Sequence, residues 1–155
     1  MNLVVLKKSR RRPKVGDIFV LLASDQLYLY GRVIATDVNA GGFPGSNLIY
    51  IYSSRSKVKH SVPVLQRGQL LVPPIMTNNL PWVRGYFEFI ENKPLLTMDR
   101  LRQHCFRDSR RWYFDEYGNR LQQAVEPVGD WGLHSFRTID DAISKALGLP
   151  VSEND

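Results

Sequence analysis

The residues of this chain that most often do acid–base, nucleophilic or metal chemistry are three histidines and one cysteine. His60, His104 and His134 are far apart, and no two have the spacing of a ligand pair. Cys105 follows His104 directly, and neighbours on a strand point to opposite faces, so these two side chains do not converge on one metal. A cysteine in a β-rich segment is typically a small buried hydrophobe, although His134 remains a distant base for a nucleophile. We therefore predict no metal site, no catalytic residue and a protein that is not an enzyme.

The segment of this chain most similar to a phosphate-binding loop is the glycine-rich stretch over residues 41–45. It lacks the Lys-Ser/Thr pair and the helix that follow such a loop. We expect a hairpin loop there, and we predict no cofactor.

An arginine-rich stretch over residues 100–111 is interleaved with aromatic residues, a pattern that single-stranded nucleic acid binding uses. A small barrel RNA-binding protein or ribonuclease-like toxin is therefore one alternative. Asp99 and Asp108 offset part of this charge, and aromatic residues on strands more often belong to a core, so nucleic acid is the less favoured partner. The arginines are Arg100, Arg102, Arg107, Arg110 and Arg111.

The segment over residues 81–87 combines Trp, Arg and Tyr, which are the residue types enriched at interface hot spots. We predict that Trp82, Arg84 and Tyr86 face a partner protein. A buried Trp82 with Arg84 bridging to a carboxylate is an equally supported interpretation. Arg110 and Arg111 are predicted as a second partner-binding patch.

The charge of the chain is concentrated at its start. Residues 1–14 carry six basic and no acidic side chains, whereas the remainder has 15 of each sign. We expect a basic, flexible arm over residues 1–13, one domain over residues 14–150 and a disordered tail over residues 151–155. A single cysteine excludes an intrachain disulfide, and no apolar run approaches the ~20 residues of a membrane span. These features predict a cytoplasmic protein without a membrane segment.

The elements that must position these residues are mostly strands. Apolar runs at 18–22, 27–35 and 48–52 predict an antiparallel meander, with a bulge or bend at Gly31. Helical spacing of apolar residues predicts one C-terminal helix, with Thr138 as N-cap and Gly148 at its end. The predicted fold class is α+β, mostly β: a curved antiparallel sheet, or a small partly open barrel, with the helix packed on it.

A series of short motifs, in order, resembles the bacterial immunity protein 26 family. The motifs are Lys14-Val15-Gly16-Asp17-Ile18-Phe19, Tyr30-Gly31-Arg32-Val33-Ile34, Asn79-Leu80-Pro81-Trp82-Val83-Arg84-Gly85-Tyr86-Phe87, Phe106-Arg107-Asp108, Tyr113-Phe114-Asp115-Glu116-Tyr117-Gly118-Asn119, Glu126-Pro127-Val128-Gly129 and Trp131-Gly132-Leu133. The resemblance implies a mostly β protein without catalysis that neutralises a cognate polymorphic toxin, contact-dependent or secreted, by steric occlusion. The partner implied is a toxin domain, and the basic arm is not part of the resemblance.

Overall fold

Nine strands and two helices organise the chain, for which the computed structural model describes residues 1–151. A 3-10 turn covers Thr97–Asp99. The strands are β1 Asp17–Leu22, β2 Tyr28–Ala40, β3 Phe43–Ser56, β4 Ile75–Thr77, β5 Glu88–Asn92, β6 Cys105–Arg107, β7 Tyr113–Phe114, β8 Arg120–Leu121 and β9 Val128–Asp130, and the helices are α1 Leu80–Val83 and α2 Phe136–Leu147.

The larger sheet has the order β4-β3-β2-β1-β5, and every neighbouring pair is antiparallel. The predicted meander of the first three strands is confirmed, and the sheet does not close into a barrel. The register between β2 and β3 shifts between Leu29 and Gly31, which is the irregularity that the glycine indicated. A Cβ at Gly31 would lie 2.2 Å from Cζ of Phe19, so the close approach of this ring requires a glycine.

Both faces of the larger sheet are covered, which fits the continuous apolar runs of its strands. Ile49 and Ile51 of β3 lie in one hydrophobic core, whereas Leu48, Tyr50 and Tyr52 lie in the other. This period of two is the alternation expected of a strand with two buried faces.

The first of these cores is closed by α2. Ile139 and Ile143 of the helix are buried in the same cluster as Phe19 and Trp82, which confirms that the C-terminal helix packs on the sheet. Burial of a large apolar side chain contributes roughly 1.5–3 kcal/mol, so this helix face is a substantial part of the fold's stability.

The start of α2 differs from the prediction. Its N-cap is Ser135, whose Oγ accepts a hydrogen bond from the Thr138 amide at 3.2 Å, so the prediction of Thr138 as N-cap is wrong by three residues. The helix therefore begins at Phe136, whose ring stacks on Tyr86 at 5.1 Å, a contact between distant parts of the chain. The predicted end is confirmed, since Gly148 is the C-cap with φ +72°.

The second sheet has the order β8-β7-β6-β9, with β6 and β9 parallel and the other pairs antiparallel. Cys105 of β6 is buried, as expected of a small hydrophobe. Phe106 is buried in the second core of the larger sheet, so the smaller sheet packs against that face.

The N-terminal segment has partners in the body of the protein. Leu3 is buried in the first core, and its amide donates to Oδ2 of Asp140 in α2 at 2.8 Å. The amide of Val4 donates to the carbonyl of Leu22 at 2.9 Å. The expectation of a flexible arm over residues 1–13 did not include these contacts, and residues 152–155 of the expected tail lie outside the described residues.

Candidate partner-binding surfaces

Trp82 lies in the core and not at the surface. It is fully buried, with ring centroids 5.2 Å from Phe19, 5.1 Å from Phe87 and 5.6 Å from Phe89. Pro81 at the start of α1 fixes the turn that directs this segment inward. Of the two interpretations of the segment, the structure favours the buried tryptophan, whose side chain offers no contact area to a partner.

Arg84 and Tyr86, from the same predicted group, differ in exposure. Arg84 is the C-cap of α1 and its side chain is exposed. Within residues 1–151 it has no ion pair, so the predicted bridge to a carboxylate is not formed there. Tyr86 is half-buried because it stacks on Phe136 of α2. The structure thus leaves Arg84 as the accessible residue of this group.

The N-terminal segment passes directly beside Arg84. The amide of Leu6 donates to the carbonyl of Gly85 at 2.8 Å, and the amide of Ser9 donates to the carbonyl of Trp82 at 3.0 Å. Exposed and half-buried side chains of this segment, of α1 and of its C-cap surround an open depression of about 450 Å³. Its lining residues are Lys8, Ser9, Arg10, Leu80, Val83 and Arg84.

The second predicted patch lies at the turn between β6 and β7, and Asp108 organises it. Oδ1 of Asp108 accepts from the amides of Arg110 at 3.0 Å and Trp112 at 2.8 Å, and Oδ2 accepts from Nε of Arg110 at 3.1 Å. Desolvation raises the pKa of Asp108, but the hydrogen bonds from Trp112 and Arg110 outweigh it and hold that pKa below its usual value. Arg111 adopts φ +66° in the turn and its side chain is exposed.

Trp112 connects this turn to β8. The guanidinium carbons of Arg110 and Arg120 each lie 3.8 Å from the centroid of a Trp112 ring. Both guanidinium groups therefore lie over the indole of Trp112. Trp112 retains 38% of its exposure, so the three side chains form an ordered, partly open stack. We call these residues the Arg110–Trp112–Arg120 stack.

The sequence did not predict Trp112 or Arg120 as members of this patch. The signal that could have found them is the turn at Tyr117-Gly118-Asn119, which predicts a hairpin. In that hairpin Tyr113 pairs with Leu121 and Phe114 with Arg120, so Arg120 lies on the strand beside the one that Trp112 precedes.

The buried titratable groups form a network around His104. Nε2 of His104 is 2.6 Å from the Tyr50 hydroxyl, and Nδ1 hydrogen-bonds to Oε2 of Glu116. The Tyr50 hydroxyl also accepts from the Leu101 amide at 2.9 Å. A histidine between a carboxylate and a hydroxyl is the arrangement of many acid–base sites, but His104 is only 5% exposed and Tyr50 is fully buried. The network joins the two sheets, and its Glu116 end is half-buried, with 16% of the side chain exposed.

The remaining histidines and the cysteine are placed separately. His60 is exposed in a turn, whereas His134 lies 3.2 Å from the Thr138 hydroxyl and 3.6 Å from the Asp130 carboxylate. Over the described part of the chain, no group of three or more His, Cys, Asp or Glu side chains is arranged to hold a metal ion. No helix within residues 1–151 is both long enough and apolar enough to cross a membrane.

Comparison with known proteins gives one match. The model of the family described as Immunity protein 26 matches residues 14–112, which is well over half of the chain and extends from the residues before β1 to those just before β7. No curated protein and no solved structure matches the chain.

Proposed function

Because the chain belongs to the immunity protein 26 family, we propose that it binds and neutralises a cognate toxin of a bacterial polymorphic toxin system. The observation that carries this proposal is the family match over residues 14–112. A toxin delivered by contact or by secretion acts inside the recipient cell, so the proposed place of action is the cytoplasm. Neutralisation proceeds by steric occlusion of the toxin and not by a chemical reaction.

The placement of polar side chains supports binding over catalysis. The groups with an arrangement typical of acid–base chemistry are joined by hydrogen bonds through His104: Tyr50 and His104 are buried, and Glu116 is half-buried. The exposed groups include arginines and a tryptophan, which are the residue types that contribute most to protein interfaces.

We propose that the toxin contacts Arg84 and Tyr86 on one side and Arg110 and Arg111 on the other. The buried Trp82 supports the first group through its core packing and makes no contact itself. The Arg110–Trp112–Arg120 stack extends the second group. Its side chains already contact one another in the absence of a partner, an arrangement that lowers the entropic cost of binding.

The direct test is co-expression with the toxin domain encoded by the adjacent gene. We expect the chain to restore growth of cells that express the toxin and to co-purify with it. Failure of both with a folded chain would refute the proposal. Arg84→Ala should weaken the complex by about 2 kcal/mol, roughly 30-fold in Kd, if Arg84 is a hot spot. Lys57→Ala is the matched control because Lys57 is also exposed and lies on a different turn; equal affinity for the two variants would remove Arg84 from the interface.

A second candidate function is single-stranded RNA binding, which the exposed Trp112 and its neighbouring arginines favour. Bases bind such sites by stacking on a free aromatic face. Two guanidinium groups already lie over the Trp112 ring, so a base would have to compete with Arg110 and Arg120 for it. The affinity for a single-stranded RNA, measured against salt concentration, separates the two functions: no binding at low salt, or a flat salt response, rules out the RNA function.

A further inference from the structure

The position of the N-terminal segment beside α1 is fixed by main-chain hydrogen bonds. The amide of Ser9 donates to the carbonyl of Trp82 in α1, and the amide of Leu6 donates to the carbonyl of Gly85, just beyond the helix. Two residues earlier Val4 donates to Leu22 at the end of β1. Residues 4–9 therefore run over the body at a defined place, and the side chains of Lys8 and Arg10 are held beside Arg84.

Gly85 is what allows this close approach. Its φ is +84°, and a Cβ built there would lie 3.1 Å from both Cγ of Lys8 and Cγ1 of Val5. The aliphatic stem of Lys8 thus runs across Gly85 while its ammonium group remains in solvent, which is the usual behaviour of a lysine over an apolar surface.

The charge of the resulting depression is uncompensated. Lys8, Arg10 and Arg84 line it, and the other lining residues are Ser9, Leu80 and Val83, so it contains no carboxylate. Within residues 1–151 none of the three cations forms an ion pair. The neighbouring Arg11 differs, because it pairs with Asp17 at 3.0 Å and lies over the Phe89 ring.

We propose that this depression is a binding site for an acidic segment of the toxin, one that presents two or more carboxylates to Lys8, Arg10 and Arg84. This inference rests on the proposed function and adds to it the chemistry of the partner and two contact residues outside the family match. The partner's charge complements the three cations, and an apolar residue beside its carboxylates covers Leu80, which is 39% exposed.

Carboxylates of a protein fit this site better than a nucleic acid. The lining has no aromatic ring on which a base could stack. The three cations surround one depression, which matches a compact group of carboxylates more closely than a continuous phosphate backbone.

The first experiment measures binding of the purified adjacent-gene toxin domain to the wild-type chain, to Lys8→Glu/Arg84→Glu and to the control Lys57→Glu. We expect the double variant to bind at least about 30-fold more weakly, as for the loss of Arg84 alone, and to lose much of the salt dependence of the wild type, with the control unchanged. If the wild type itself does not bind, the proposed function is refuted and this inference with it. If the wild type binds and the double variant binds equally well, only this inference is refuted. Circular dichroism and thermal unfolding verify that each variant is folded.

A second experiment does not depend on the toxin. A hexaglutamate peptide is titrated into the isotope-labelled chain, and amide chemical shifts are followed. We expect shift changes concentrated at residues 5–10 and 80–86, and their loss in the double variant. No shift changes, or changes of equal size around Lys57, overturn the proposal. Shift changes at these residues with a single-stranded oligouridine but not with hexaglutamate identify a nucleic-acid site and also overturn it.

Discussion

Substitution of Tyr50 by phenylalanine tests whether the buried network holds the two sheets together. The Tyr50 hydroxyl lies on β3 of the larger sheet, and His104 lies one residue before β6 of the smaller sheet. Glu116, the other partner of His104, lies between β7 and β8, and its main-chain carbonyl accepts from the Asn39 amide of β2 at 2.8 Å. Phenylalanine keeps the ring in the second core and removes only the hydroxyl.

The size of the effect follows from the two hydrogen bonds that are lost. Nε2 of His104 at 2.6 Å and the Leu101 amide at 2.9 Å would each lose a partner in a buried or partly buried place. An unsatisfied buried polar group costs about 1–3 kcal/mol, so we expect Tyr50→Phe to lower the free energy of unfolding by about 2–4 kcal/mol. For a chain of this length that corresponds to a Tm lower by roughly 5–15 °C.

The same substitution has a signature in alkali. Burial raises the pKa of Tyr50 to about 12, against an ordinary value of 10.0. Between these values the folded state keeps the proton and the unfolded state loses it, so stability is fully present below pH 10 and falls as the pH rises towards 12. Tyr50 alone contributes a slope of at most about 1.4 kcal/mol per pH unit in that window. Because the pKa of Tyr52 is also raised by burial, Tyr50→Phe should make the alkaline loss less steep but not abolish it.

Urea unfolding followed by circular dichroism at pH 7, and thermal unfolding from pH 7 to pH 11, measure both effects. Tyr117→Phe is the matched control, because Tyr117 is 54% exposed and its hydroxyl has no hydrogen bond within the described residues. We expect the control to change the free energy of unfolding by less than about 0.5 kcal/mol. A Tyr50→Phe variant as stable as this control, with an unchanged alkaline slope, would refute the role assigned to the network.

Two further predictions concern stability. Gly31→Ala should lower the free energy of unfolding by about 2 kcal/mol or more in urea, because its Cβ would lie 2.2 Å from Cζ of Phe19. Gly68→Ala, which has open space around it, should not. Burial lowers the pKa of His134 below 6.5, although the Asp130 carboxylate opposes this shift. The unfolded state therefore takes up a proton more readily than the folded state, and the free energy of unfolding falls as the pH drops below 6.5. His134→Gln should therefore show a smaller loss of Tm between pH 7 and pH 5 than the wild type, and an equal loss would contradict the assignment.

The first three strands of the larger sheet could be predicted from the sequence because their signals are local. Each of these strands is a run of apolar and β-branched residues bounded by turns, and Gly31 marks its own bulge. The strand pairing of the smaller sheet could not be predicted in this way. Its parallel pair joins Cys105 to Val128, and no pattern within either short strand encodes a partner so far along the chain.

For the candidate surfaces too, residue type could be judged from the sequence, whereas packing against distant residues could not. Residue type marked Arg84, Arg110 and Arg111 as candidates, but it marked Trp82 equally, since an indole suits a core as well as an interface. What decides between these is packing against Phe19 and other distant residues, which composition does not reveal. The contact between the N-terminal segment and α1 was missed for a related reason, because main-chain hydrogen bonds leave no trace in the side-chain sequence.

Because main-chain atoms hold the N-terminal segment in place, its side chains can determine which partner binds without determining where the segment lies. The family match begins at residue 14, so the N-terminal segment lies outside it, whereas the carbonyls of Trp82 and Gly85 that hold the segment lie inside. A carbonyl accepts an amide whatever side chain that amide's residue carries, so the side chains at Lys8 and Arg10 are free to differ while the segment keeps its place. The charge of the depression can therefore change without loss of the fold. For this reason we expect Lys8→Glu to leave the free energy of unfolding within about 0.5 kcal/mol of the wild type, and its effect on toxin affinity to report recognition alone.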